Sequence, residues 1–290
     1  MLSRGLIIEC KQAIRPSKKA EVMENDRQSQ VVMRSETAGI GETVVLVPGG
    51  LTGWLSWESH AKELSKSYRV IRVQLLSVDL GLMNQPLPTD YSVDYETSAL
   101  ALTIVQSGVS QAHLVAWSYG AEIALNFALK NQDSIQTLTL IEPPAIWVLR
   151  SRGPLSQDLL DEQRTIQSIG PGDVSETQLE WFTHFAGFVQ PSVDPKRLPQ
   201  WPVWVKHRQS LRTGDVVYRH QDDIRRVKNF KKPVLLFKGE GSSPFLHQVI
   251  DILGSEFPHV RVEMLPGGHA PHLASMGRFM EILTSHLRVT

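Results

Sequence analysis

Three short stretches carry side chains and backbone suited to nucleophilic chemistry. In "HLVAWSYGAEIAL" (113–125) an apolar run stops at Ser118 and resumes with a helical pattern. A serine hydroxyl is a weak nucleophile until a base removes its proton. A sharp strand-to-helix turn exposes it, and that turn needs small residues on both sides. Here these are Ala116 and Gly120, followed by Ala121, so the pattern G-x-S-x-G departs only by one methyl group. The plainer reading is that Ser118 caps the helix that follows.

The base is sought among ten histidines. "LPGGHAPHLASMGRF" (265–279) puts His269 after two glycines, between an apolar strand pattern and the last helix. Such a loop presents an imidazole at the carboxyl end of a sheet, on the serine's side, and imidazole is the natural base near neutral pH. His272 reads as a pocket-edge or packing residue. The other eight histidines read as structural or solvent-exposed.

The third stretch is "VVLVPGGLTGW" (44–54), a strand running into a glycine-rich loop. Glycines let backbone N–H groups approach a substrate closely. Gly50 or Leu51 would supply one oxyanion donor and Tyr119, opening the helix after the serine, another. Neither G-x-x-x-x-G-K-[ST] nor G-x-G-x-x-G occurs, which argues against a phosphate cradle.

The elements around these stretches alternate. Residues 30–50 read as two β segments joined by a glycine turn, the second (43–47) apolar throughout, as in a strand buried on both faces. A helix near 57–65, a strand at 68–76 and a polar, proline-containing stretch at 77–90 follow. Then come a helix at 93–107 capped by Ser92 or Asp94, a strand at 112–117, a helix at 121–130 and a strand at 135–142. From 143 to 226 the alternation breaks into helical patterns holding four of the seven tryptophans. It resumes with a strand at 233–238, a helix at 245–253, a strand at 260–265 and a helix at 277–287. This predicts an α/β fold, a mostly parallel sheet with helices on both faces, interrupted by a helical insertion. The core is 27–142 with 227–290.

Composition sets bounds. The 290 residues include 30 basic and 30 acidic side chains, which gives no electrostatic case for nucleic acid or an anionic membrane. The one cysteine, Cys10, can form no intrachain disulfide and fits a reducing, cytoplasmic compartment. No apolar stretch approaches the roughly 18 residues of a membrane span. Residues 1–26 read as a poorly ordered leader, with a mitochondrial presequence as the alternative. A homodimer is left open.

Together, "VPGG", "AWSYGA" and "PGGHAPH", each after its strand and in this order, resemble the α/β-hydrolase superfamily over about residues 30–290. The resemblance implies a Ser–acid–His triad, an acyl-enzyme, no metal or organic cofactor, and a lid formed by 143–226. It also implies an acid in a G-x-x-D-like segment after the family's seventh strand. The matching stretch here, "KGEGSSP" (238–244), has Ser242 where the aspartate would stand, and Glu240 as its carboxylate. The other candidate is Glu142 in "TLTLIEPPAIW". A carboxylate at the end of an apolar strand is costly unless paired, and an imidazole N–H would pair it. Haloalkane dehalogenases and zearalenone lactonases also carry an acid after the family's sixth strand. The lactonases are the nearer comparison, because the dehalogenases use an aspartate nucleophile. Glu142 is the preferred acid; Glu240 is the alternative, and a structural role is the plain reading of Glu142.

The insertion carries Trp147, Trp181, Trp201, Trp204, Phe182, Phe185 and Phe188, and Trp54 and Trp57 flank the glycine loop. As a set they favour an apolar or aromatic small-molecule substrate, with Trp54, Trp147 and Trp181 as expected contacts. The function expected is hydrolysis of a carboxylic ester or lactone. A carbon–carbon bond hydrolase, a cofactor-free perhydrolase and a non-catalytic ligand-binding protein of the same fold are the alternatives.

Overall fold

The computed structural model describes residues 31–169 and 172–288. Seven strands form one sheet: β1 (Ser35–Ala38), β2 (Thr43–Val47), β3 (Arg69–Val73), β4 (Ala112–Trp117), β5 (Ile135–Ile141), β6 (Val234–Gly239) and β7 (Val260–Leu265). Their order is β1-β3-β2-β4-β5-β6-β7. β1 is antiparallel to β3 and every other neighbouring pair is parallel.

The central strands are apolar because both sheet faces are covered. Every residue of β2 and β4 is buried, whereas the edge strand β1 is exposed throughout. Alternation along each strand divides the core in two. Val45, Val47, Leu114 and Ala116 pack toward the helices Val93–Gln106, Tyr119–Lys130 and Pro244–Glu256. Val44, Leu46, Val115 and Trp117 face the helices Glu58–Leu64 and Met276–Leu287. Parallel strands end at a common edge, and residues 48–53, 118, 142, 240–243 and 266–269 all follow carboxyl ends.

The connection from β5 to β6 is helical. It holds Ile146–Arg150, Gln157–Ile169, Glu176–Phe185, Trp201–His207, the 3-10 segment Arg208–Thr213, Gly214–Arg219 and Ile224–Lys228. Leu179, Trp201, Trp204 and Leu211 form a small core there, with Leu51 of the glycine loop as a member. The last helix, Ile224–Lys228, straddles the expected boundary at 226, and its Val227 packs into the sheet core.

Several expectations need adjusting. The helix after the serine starts at Tyr119 rather than 121, because the chain reverses at Ser118 itself. The polar stretch at 77–90 contains a helix, Leu76–Leu82. Its N-cap residue, Leu75, offers no side-chain cap; instead the Glu96 carboxylate accepts from the Leu76 and Ser77 N–H groups at 3.1 and 2.8 Å, and Gly81 packs against Gln209 and Ser210. Ser92 is the cap of the helix Val93–Gln106, accepting from the Tyr95 N–H at 3.1 Å; Asp94 pairs with Asn126 and Lys130 instead. The leader at 1–26 lies outside the described residues. Among the described residues, no helix is long and apolar enough to cross a membrane.

Candidate active site

Ser118 sits at the carboxyl end of β4 with φ +56° and ψ −129°. This left-handed region costs a non-glycine residue roughly 1–3 kcal/mol and persists only where packing imposes it. The packing is tight. A Cβ on Gly120 would lie 2.2 Å from the Pro48 carbonyl oxygen, so only glycine lets the new helix come this close to the loop after β2. The Ser118 N–H donates to the Ile141 carbonyl at 2.9 Å, which fixes the turn to the neighbouring strand.

Glu142 repeats this geometry one strand over. The register pairs Trp117 with Ile141, so Ser118 and Glu142 are each the first residue past a paired position. Glu142 also has positive φ, +46°. Its N–H reaches the Phe237 carbonyl at 3.2 Å, and its side chain is fully buried.

His269 joins the two. Its Nε2 lies 2.7 Å from Ser118 Oγ and its Nδ1 lies 2.7 Å from Glu142 Oε2. A carboxylate only accepts, so the proton between them belongs to Nδ1, and Nε2 is left to accept from the serine hydroxyl. The ring is held by its own backbone and by aromatic neighbours. The His269 N–H donates to the Gly187 carbonyl at 2.9 Å, and Trp117 Nε1–H donates to the His269 carbonyl at 2.6 Å. Phe188 meets the ring edge-to-face at 4.8 Å.

Burying Glu142 would be costly without partners. It has three. The Gly239 N–H donates to Oε1 at 2.7 Å, and Ser242 Oγ–H and the His269 ring share Oε2, the former at 2.6 Å. Ser242 occupies the position where the resemblance leads one to expect an aspartate, and its hydroxyl serves the carboxylate that reaches in from β5. Sequence reasoning noted the missing acid there but not this hydrogen bond. Glu240 is exposed on the same loop, and no bond joins it to His269; the acid beside the histidine is Glu142.

The N–H groups of Gly50, Leu51 and Tyr119 donate to no acceptor among the described residues, and all three residues line a cavity with Ser118 and His269. The phenol of Tyr119 is tied off below: its oxygen lies 3.1 Å from that of Tyr91, which donates to the buried Glu96 at 2.7 Å. Burial, reinforced by the Glu96 charge, pushes both phenols well above their ordinary range, so they remain neutral.

The cavity wall is apolar. Ile166, Phe182, Phe185, Phe188, Val217 and Phe245 contribute to it. The three tryptophans expected as contacts lie outside this wall. Trp54 is half-buried under the Arg34 guanidinium, 4.9 Å from its ring centre. Trp147 is buried in the sheet core. Trp181 stacks on Phe185 at 5.1 Å, behind the wall. Phenylalanines one to four residues from Trp181 take the position expected for it. His272 is fully buried, 4.7 Å from both Trp57 and Trp117, and neither ring nitrogen has a partner. Burial, with His60 and His269 nearby, holds its pKa well below the usual imidazole value, so it is a neutral packing residue. Among the described residues no group of His, Cys, Asp and Glu is arranged to hold a metal ion.

Residues 44–282 match the Alpha/beta hydrolase family over most of the chain. The protein is an α/β hydrolase. Over 107 residues this hydrolase is 29% identical to a 2-hydroxymuconate semialdehyde hydrolase from Pseudomonas sp. (strain CF600), covering 36% of this chain and 37% of that one. It is 32% identical over 107 residues to a pimeloyl-[acyl-carrier protein] methyl ester esterase from Methylococcus capsulatus, covering 37% of this chain and 39% of the relative. These matches span less than half the length of either relative. In fold it is similar to an esterase from Exiguobacterium antarcticum, with TM-score 0.69 and 21% identity over 88% of this chain and 95% of that one.

Proposed function

We propose that this hydrolase cleaves a carboxylic ester or lactone of a small apolar or aromatic molecule through a Ser118–His269–Glu142 triad. The observation that carries this reading is the unbroken chain Glu142 Oε2, His269, Ser118 Oγ, with both links at 2.7 Å, opening on an apolar cavity. Ser118 Oγ attacks the carbonyl carbon while His269 Nε2 takes its proton. The carbonyl electrons move to oxygen, where the N–H groups of Gly50 or Leu51 and of Tyr119 receive the charge. When the adduct collapses, His269 returns the proton to the departing alkoxide. In a lactone that alkoxide stays attached to the acyl group. Water then adds to the acyl-enzyme, giving its proton to His269, and Ser118 is released. Glu142 fixes the imidazole tautomer and stabilises its cation. The 143–226 segment acts as the lid, with Phe182, Phe185 and Phe188 lining the apolar side.

A serine-reactive fluorophosphonate probe tests the chemistry. Labelling is expected at Ser118, lost in Ser118→Ala and in His269→Ala, and hydrolysis of an ester and lactone panel should vanish with it. Full activity in Ser118→Ala would sink the reading. The similarity to a 2-hydroxymuconate semialdehyde hydrolase favours a second reading, carbon–carbon bond hydrolysis on the same three residues. Turnover of 2-hydroxymuconate semialdehyde well above that of any ester would move the assignment there.

A further inference from the structure

Two hydroxyls of the cavity wall, those of Ser210 and Tyr218, have no partner among the described residues, and that of Ser210 lies beside Gly50 of the glycine loop. Ser118 and His269 bond each other, and the Tyr119 hydroxyl meets Tyr91. Ser210 lines the cavity, is 3% exposed, and its Oγ has no partner among the described residues. Hydroxyls within helices usually turn back onto a carbonyl three or four residues earlier. Thr97, Thr103 and Thr284 do so here. Ser210, inside the 3-10 segment Arg208–Thr213, does not.

Its position is nevertheless fixed. Thr213 Oγ1–H donates to the Ser210 carbonyl at 2.9 Å, and the adjacent Gln209 side chain accepts from the Val174 N–H at 2.9 Å. A Cβ on Gly81 would come within 3.1 Å of the Ser210 nitrogen, so the helix Leu76–Leu82 abuts its backbone. On the other side, a Cβ on Gly50 would lie 3.1 Å from Ser210 Oγ. The hydroxyl therefore abuts Gly50, in a loop whose Gly50 N–H has no acceptor among the described residues.

We propose that the Ser210 hydroxyl is a third oxyanion donor, supplied by the β5–β6 connection to the two backbone N–H groups. The inference rests on the acyl-transfer reading above. As Ser118 Oγ bonds to the carbonyl carbon, the π electrons pass to the carbonyl oxygen. Ser210 O–H hydrogen-bonds that oxygen while keeping its own proton, and the bond weakens when the carbonyl re-forms. A donor left unpaired in the free enzyme is ready for this charge, at the cost of a buried hydroxyl without a partner.

The test compares Ser210→Ala and Ser210→Thr with the wild type on p-nitrophenyl acetate and on the ester or lactone turned over fastest. Ser210→Ala is expected to lower kcat about 100-fold with KM nearly unchanged, as loss of one oxyanion donor does. Ser210→Thr should keep most of kcat. The melting temperature of Ser210→Ala should equal or exceed that of the wild type, since an unpaired buried hydroxyl has gone, and end-point fluorophosphonate labelling of Ser118 should stay complete. Wild-type kcat in Ser210→Ala, or an effect on KM alone, overturns the assignment while the triad stands. A lower melting temperature with unchanged kcat would make the hydroxyl structural. If the wild type neither labels nor turns over any substrate, the acyl-transfer reading fails and this proposal fails with it.

Discussion

Ser242 Oγ lies 2.6 Å from Glu142 Oε2, the same oxygen that faces His269 Nδ1. The loop after β6 thus supplies a hydroxyl to the acid instead of an acid. A hydrogen bond to a charged group contributes about 1.5–3 kcal/mol, so Ser242→Ala should lower kcat by roughly 10- to 100-fold. Glu142→Ala should be far worse, on the order of 10⁴-fold, because the imidazole loses its orienting partner. In Glu142→Ala/Ser242→Asp a carboxylate returns from the neighbouring loop, and kcat should rise above that of Glu142→Ala. Steady-state kinetics on one ester decides all three. No gain from the aspartate would mean that the side chain at 242 does not reach the ring.

Glu122 carries a pH prediction. It is buried in the helix Tyr119–Lys130 with neither carboxyl oxygen bonded. Burial, and then the Asp222 charge, raise its pKa to about 8. The folded state therefore keeps a proton that the unfolded state loses above its ordinary value of 4.5. Between these values the unfolded chain binds fewer protons, so this contribution to stability falls as pH rises. Glu122→Gln removes the dependence. Its advantage over the wild type in urea denaturation should grow from about pH 5 to about pH 8, reaching at most about 4 kcal/mol. A constant difference across that range would show that Glu122 is not the group titrating.

Gly120→Ala tests the closeness of the turn. Its methyl group would lie 2.2 Å from the Pro48 oxygen, which belongs to backbone and cannot rotate away. A loss of at least about 3 kcal/mol is expected in chemical denaturation, since overpacking here must move main chain. A variant of wild-type stability and activity would show that the loop after β2 has room to retreat.

The cavity wall gives a pair of contrasting expectations. Phe185 lines it, whereas Trp54 lies under Arg34 outside it. Phe185→Ala should raise KM for long or aromatic acyl groups more than for acetyl. Trp54→Ala should leave their ratio alone. An unchanged ratio in Phe185→Ala would place the acyl group elsewhere in the cavity.

Much of the architecture was legible because periodicity in a two-sided sheet is nearly unambiguous. The expected limits of β2, β4 and β7 coincide with the observed ones. Ser118 and His269 could be picked out because each sits between an apolar strand and a helix, and Glu142 because a buried charge needs a partner. The contacts set by chain crossing were not legible. Ser242 looks like an ordinary loop serine until Glu142 is brought to it from 100 positions away. Trp181 and Phe185 are four apart on one helix, and sequence could not say which faces the cavity and which backs it. The helix Leu76–Leu82 was hidden because its buried face is made partly of Ser77 and Gly81, which carry no hydrophobic signal.

The bond from the His269 N–H to the Gly187 carbonyl ties the base to the helical connection, and Gly268 is packed so closely there that a Cβ would lie 2.0 Å from the same oxygen. If the 183–189 segment swings away from the sheet with this bond kept, the imidazole moves with it. Ser118 would then lose its base as the segment opened. With the bond kept, substrate enters by another rim of the cavity or the enzyme is armed only after it shuts. In the second case the serine is inert whenever bulk water can reach it, and an open mouth protects itself.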